Sequence, residues 1–303
     1  MKKKIIVLVL LLVMLCGCTK RAQLVNEDNS TKSYVTNIIC RPESEELIEA
    51  YDRLGNETKV DYSELPACKD LKINSGGYEG LWTSLFVKPL AWLIVKIGLI
   101  VKNNGVAIMI MGFILRAALY PISKKSTNMS ENMKKAQKDM ERIEKKYQGK
   151  EDKDSMMAKS QEMMLIYKKY DINPFASCLF AFLQMPIFFA FLEAVYRVPA
   201  FFEKDFLVFN LGTTPLEGFK VGNYWYILLV VIIIGCTYFS FKNINSTTGD
   251  EAQQKQMKIM SISMVVFISI MSFSLPTSIA LYWIVSSGFT IVQNYIVKKK
   301  GTN

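Results

Sequence analysis

Residues 105–122 read GVAIMIMGFILRAALYPI, and the one cation in that run, Arg116, constrains the chain more than any other residue. As a helix at about 1.5 Å per residue, the run is roughly 27 Å long, close to the hydrocarbon thickness of a bilayer, with Arg116 near mid-depth. A cation at that depth costs at least about 2.5–3.5 kcal/mol on insertion scales, so the folded chain must pair it or hydrate it. Two readings follow. The bland one is a snorkelling or helix-locking arginine; the sharper one is a polar cavity within the membrane, the usual setting of an intramembrane ionisable residue.

The rest of the composition narrows the chemistry. The chain has 303 residues, is 50% hydrophobic, carries a net charge of +10 and contains no histidine. Without histidine there is no Ser/His or Cys/His dyad and no imidazole ligand, so an enzyme of the ordinary hydrolytic kind is not expected. No CxxC pair with zinc spacing follows residue 18, and neither a metal nor a cofactor is expected. A basic balance fits nucleic acid or anionic lipid, and here most of it flanks apolar spans, which favours the membrane.

At the start, a basic Met1-Lys2-Lys3-Lys4 precedes an apolar core over residues 5–15 and then Leu15-Cys16-Gly17-Cys18. The core is too short to span as a helix, so residues 1–17 read as a signal peptide. Its end resembles the bacterial lipobox, which implies lipidation of Cys18. Residues 18–80 then read as a polar, lipid-anchored tether outside the cell with a short helical piece around residues 43–54, and Cys40 and Cys68 are free to pair there. Cys178 and Cys236 fall in apolar spans and read as small buried hydrophobes.

Residues 81–103 are apolar enough to pass for a span. On a helical wheel, however, Ser84, Lys88, Lys96 and Lys102 gather in an arc of roughly a third of the circumference, which suits an amphipathic helix lying at the interface. The positive-inside rule agrees: with the N-terminus outside, a full span here would turn the lysine-rich segment 123–173 outward. That segment therefore reads as cytoplasmic. Met129, Met133, Ala136, Met140, Ile143 and Tyr147 recur at steps of three and four, Gly149 breaks the pattern, and Met156, Met163, Tyr167 and Tyr170 resume it. The result is an antiparallel helical hairpin. It is either a charged spacer or a docking surface, with Met129, Met133, Met140 and Met163 as adaptable apolar contacts. Acidic residues interleave with the basic ones, so no nucleic-acid specificity is expected.

Four more spans follow, at about residues 174–198, 224–241, 257–275 and 277–297, before the cytoplasmic tail 298–303. The expected fold is an all-α polytopic membrane protein: five transmembrane helices around a hydrophilic groove, with a cytoplasmic hairpin and an N-terminal interfacial helix. Glu193 and Arg197, at i and i+4, read as an ordinary ion pair near the outer boundary. Glu193 is roughly 28 Å along its helix, so contact with mid-depth Arg116 is not expected. In the last span Trp283, Ser286, Ser287, Thr290 and Asn294 form a polar stripe, which means either helix packing through hydroxyls or, with Gln184 and Arg116, the lining of one wet cavity. A transporter binding a small anion at Arg116 is the rival, but no duplicated pair of broken helices is present.

Three blocks carry a resemblance to a known family: ILRAALYPISK at residues 114–124, EMMLIYKKYDINPFASCLFAFLQMPIFFAF at 162–191 and LPTSIALYWIVSSGFTIVQ at 275–293. Together, and in this order and spacing, they resemble the YidC/Oxa/Alb membrane protein insertases over residues 82–297. The lipobox with five spans looks like the Gram-positive form. One departure is Phe180, at a position where the family often has proline. The resemblance implies an insertase and folding chaperone of the bacterial cell membrane, working without nucleotide hydrolysis. It places Arg116 in a groove open to the cytoplasm and to lipid, with the N-terminus outside and the C-terminus inside. Its implied partners are nascent membrane proteins and membrane lipids. It leaves open whether the chain works alone or beside the Sec translocon, and whether the hairpin and tail contact a ribosome.

Overall fold

The computed structural model describes residues 19–25, 31–58, 62–150, 152–242 and 251–300. The signal segment and Cys18 lie outside the described residues, as do the side chains of Ser177, Cys178 and Phe180. The chain divides into two compact units, one made of Met1–Met111, Leu183–Trp225 and Leu275–Tyr282, the other of Gly112–Phe182, Tyr226–Ser274 and Trp283–Asn303.

In the first unit, the segment expected to be a tether is folded. Strands β1 (Arg21–Val25) and β2 (Thr31–Val35) pair antiparallel, and α1 (Glu45–Thr58) packs on them. Leu24, Val35, Ile38, Tyr51, Leu54 and Tyr62 form a buried cluster, and the Tyr51 hydroxyl donates to the Val35 carbonyl at 3.0 Å. Cys40 and Cys68 are joined in a disulfide. Strands this short leave a weak period-2 signal, which is why the sequence alone reads as a tether with one helix.

Helix α2 (Gly80–Val101) contains a π-helical turn at Thr83–Val87 and ends where Lys102 takes a left-handed conformation, φ 53°. By length and composition it could cross a membrane. Its lysines nevertheless turn to the preceding segment: Lys88 donates to the carbonyls of Ser75 and Gly77 at 2.7 and 2.6 Å, and Lys96 to that of Lys69 at 3.1 Å. Leu81, Leu85 and Ile100 are exposed.

Helix α3 (Asn104–Tyr147) starts at Asn103, whose side chain accepts from the Val106 amide at 3.0 Å. The run 105–122 and the first arm of the expected hairpin lie on this one helix of 44 residues, which runs through Pro121. A proline in a helix removes one amide donor; two turns follow in which Ser123 and Thr127 hydroxyls bond back to the carbonyls of Tyr120 and Ser123, at 3.1 Å each.

In the second unit, α3 returns through Gly149, φ 76°, to α4 (Lys153–Lys169), whose N-cap Asp152 accepts from the Ser155 amide at 2.8 Å. Helices α5 (Pro174–Tyr196), α7 (Trp225–Lys242), α8 (Glu251–Ser272) and α9 (Thr277–Lys300) complete the apolar part of the chain. Between α5 and α7, in the first unit, lie the two-residue strands β3 (Asp205–Phe206) and β4 (Phe209–Asn210) and the short α6 (Pro215–Lys220). Among the described residues the fold is thus helical apart from two small two-stranded sheets. Among the described residues, α2, α3 and residues Thr277–Val297 are long and apolar enough to span, while Gln184–Tyr196, Trp225–Phe241 and Ser261–Ser272 are shorter apolar stretches.

Candidate functional site

Arg116 belongs to the second unit, and it is brought together with part of the polar stripe. Its Nε donates to the Ser286 hydroxyl. The same pair of helices is laced further along: the Ser123 hydroxyl donates to the Gln293 side-chain oxygen at 2.9 Å, Gln293 Nε2 donates to Thr127 Oγ1 at 3.2 Å, and Thr127 Oγ1 lies 3.4 Å from Asn294 Oδ1. Phe113 and Tyr120 meet the Phe289 ring edge-on, at 5.5 and 6.4 Å between centroids. One face of α3 therefore reads against one face of α9 as alternating polar bonds and ring contacts.

The stripe has a packing role as well. Ser286 and Ser287 are buried; the Thr290 hydroxyl bonds back to the Ser286 carbonyl at 3.0 Å, and the Ser240 hydroxyl of α7 reaches the Ser287 carbonyl at 3.2 Å. Arg116, Trp283 and Thr290 are half-buried. In the same unit, Thr237 and Ser261 carry buried hydroxyls with no protein partner. An orphaned hydroxyl costs about 1–3 kcal/mol, so each is a place for water. Ser123, Thr127 and Gln293 were missed by sequence reasoning. The signal was present, since Gln293 is one heptad after Ser286 and Ser123 one heptad after Arg116.

Gln184 falls in the first unit, whereas the other predicted lining residues fall in the second. Its amide nitrogen donates to the Tyr282 hydroxyl at 3.3 Å, its side-chain oxygen is buried without a partner, and Tyr282 stacks on Phe191 at 4.1 Å.

The first unit also contains a second arginine site, which sequence reasoning saw only in part. Arg197 is 1% exposed. Its guanidinium bonds Glu79 and the Asn37 carbonyl, and lies 3.5 Å from Glu193. Glu193 in turn accepts from the Trp82 indole at 2.9 Å, and Glu79 pairs with buried Lys88 at 2.8 Å. The expected i, i+4 pair is present, but it is buried within a network of five side chains rather than lying free at an interface. Partial burial would raise the Glu79 carboxyl, yet hydrogen bonds from Lys88 and Arg197 outweigh that and hold it below its ordinary 4.5.

The hairpin methionines require a correction. Met129 and Met140 are buried with Ala136 and Ile172, and Met133 and Met163 pack against them, so these four side chains zip the two arms together. Lys146–Glu162, Lys159–Glu144 and Lys169–Asp139 ion pairs flank that seam. The exposed apolar side chains are Met156, Met157, Met164 and Leu165 on the outer side of α4. A stripe at helical spacing marks the face that is buried, and in a hairpin each arm supplies the other's partner.

These features can be set beside known proteins. The model of the 60Kd inner membrane protein family matches residues 96–303. The chain is 36% identical over 220 residues to the membrane protein insertase YidC 2 of Bacillus anthracis, covering 72% of this chain and 82% of that relative. It is 33% identical over 227 residues to the membrane protein insertase YidC of Oceanobacillus iheyensis, covering 73% and 85%. Over 218 residues it is 29% identical to the membrane protein insertase MisCA of Bacillus subtilis, covering 72% and 79%. Among solved structures it is similar to an active YidC insertase with the first transmembrane domain resolved, at a TM-score of 0.50 and 27% identity over 74% of this chain. The chain covers 48% of that solved chain, about half its length.

Proposed function

The chain belongs to the family of the 60Kd inner membrane proteins, and from that premise we propose that it is a bacterial membrane protein insertase that receives newly made membrane proteins and releases them into lipid. What carries this reading, beyond the family, is Arg116 bonded to a hydroxyl within helices whose other faces expose apolar side chains such as Ile114 and Val292.

In the arrangement we propose, the apolar part of α3 and helices α5, α7, α8 and α9 are the five spans, with the N-terminus outside, held by lipid on Cys18, and the C-terminus inside. Helix α2 lies at the outer interface; the turning of Lys88 and Lys96 toward the folded N-terminal segment supports this over a sixth span. Arg116, Trp283, Ser286, Ser287 and Thr290 line one hydrophilic groove. A groove of this kind shortens the hydrocarbon that a client's polar segment must cross, where each unsatisfied backbone group costs several kcal/mol. Arg116 attracts acidic residues of that segment across a low-dielectric space. Apolar client helices then leave sideways into lipid, where their burial is favourable. The work is done by binding and positioning, without nucleotide hydrolysis.

The hairpin projects into the cytoplasm and presents Met156, Met157, Met164 and Leu165 to incoming chains. Its basic face and the tail are the surfaces that a ribosome would meet, and the Sec translocon is a further partner in the membrane. A photocrosslinker at Thr290 tests the reading: adducts with a stalled nascent membrane protein are expected, and their consistent absence sinks it in favour of a small-solute transporter. The same probe at Gln184 tests whether that residue meets the client as well.

A further inference from the structure

The outer loop between α5 and α7 ends in an apolar point with nothing of its own to cover it. Strands β3 and β4 pair Asp205 with Asn210 and Phe206 with Phe209, leaving Leu207 and Val208 as a two-residue turn. Leu207 adopts φ 57° and is 80% exposed, and Val208 is exposed beside it. A tight hairpin turn favours asparagine or glycine at left-handed positions, and a leucine there is strained by its Cβ. A loop surrounded by water gains nothing from placing a large apolar side chain at that position.

The height of the turn is fixed by the ends of three helices. The Phe206 ring packs so closely on Gly105, in the first turn of α3, that a Cβ on that glycine would lie 2.4 Å from the ring. Just beyond the hairpin, the Ser278 amide at the start of α9 donates to the Leu211 carbonyl at 3.0 Å and the Thr277 amide to that of Thr213 at 3.1 Å. The Asn223 side chain donates to the Val208 carbonyl at 3.0 Å, tying the turn to the residues that lead into α7. Those residues are apolar and open: Val221 is 80% exposed, and Tyr224 and Trp225 are exposed after it. From Trp225 the apolar surface continues down α7 through exposed Ile227, Leu228 and Val231.

We propose that Leu207, Val208, Val221, Tyr224 and Trp225 form a wedge that seats in the outer leaflet of the lipid bilayer. This rests on the proposed topology, in which α3, α7 and α9 all begin at the outer boundary. Leu207 follows Phe206 by one residue, about 3.8 Å of chain, so contact with Gly105 holds the tip at the level where α3 enters the membrane. Tyrosine and tryptophan are enriched at that level, and the patch is continuous with the lipid-facing side of α7. Burial of these large apolar side chains in lipid is favourable and offsets the strain of the left-handed leucine. The occupant is lipid rather than a client chain or a second copy.

The test places an environment-sensitive fluorophore on Leu207→Cys or Val221→Cys in full-length protein with Cys178 and Cys236 replaced by serine. The protein is reconstituted in phosphatidylethanolamine/phosphatidylglycerol vesicles, with Lys72→Cys as the reference in water. Blue-shifted emission, quenching by lipids spin-labelled near the headgroup and protection from iodide are expected at both wedge positions. Emission like that of Lys72→Cys with full iodide quenching overturns the proposal, as does protection that appears only at high protein density or with client present. A membrane-impermeant reductant read at Lys72→Cys reports separately on topology: bleaching from outside upholds the orientation, and protection from outside with bleaching from within overturns it.

Discussion

Arg197 and Arg116 hold the same guanidinium group in opposite ways. Arg197, just past the end of α5, is enclosed by Glu79, Glu193 and the Asn37 carbonyl, groups drawn from the N-terminal segment and its own helix. Arg116 is half-buried and bonds the hydroxyl of Ser286. A charge matched by fixed carboxylates fastens pieces of structure and has little left to offer a third party. The bond from Arg116 Nε goes to a neutral hydroxyl rather than to a carboxylate. We propose that the first is a fastener and the second a working group, and the comparison can be broken by mutation.

The largest effect is expected at Arg197→Ala, which leaves Glu79 and Glu193 without their shared partner. Breaking a buried pair from one side costs about 3–5 kcal/mol, read as a drop in Tm of the purified protein. An unchanged Tm would remove the fastening role. Next comes Met140→Ala in the hairpin seam, where a cavity costs about 2–5 kcal/mol, against Met164→Ala on the open side, which should leave stability within about 0.5 kcal/mol. If the two variants unfold alike, the seam is not where the structure puts it. Arg116→Ala loses the hydrogen bond to Ser286, about 1.5–3 kcal/mol for a bond from a charged group, and should abolish client insertion. Rescue by Arg116→Lys would show that charge suffices, and failure that the guanidinium geometry is needed.

The smallest effect concerns acid. Because Lys88 and Arg197 hold the Glu79 carboxyl below 4.5, its contribution is fully present above that pH and is lost as pH falls through the lower value of the folded state. Acidification below pH 4.5 should therefore loosen the N-terminal segment, seen as faster amide exchange over residues 31–58, and Glu79→Gln should flatten that response. An identical response in the variant would assign the acid effect to another group.

Much of this was legible in the chain. Apolar runs gave the helices and their order, and the steps of three and four gave the hairpin. Three things were not. The apolar run ends at residue 122, whereas the helix passes through Pro121, with the Ser123 and Thr127 hydroxyls after it, and continues to Tyr147. The methionine stripe pointed to a face but not to what covers it, and α4 covers it. Glu193 and Arg197 announce each other at i and i+4, while Glu79 is 118 residues from Arg197, and no periodicity reports a contact at that distance. For the same reason the stripe on α9 was visible, whereas its division between packing at Ser287 and the bond to Arg116 was not.

The most direct measurement is insertion by the purified protein alone. Reconstituted in liposomes without nucleotide, it should insert a small single-span client to a protease-protected position, and Arg116→Ala protein folded to the same Tm should not. Equal insertion by the two proteins, or by empty liposomes, would contradict a working role for Arg116.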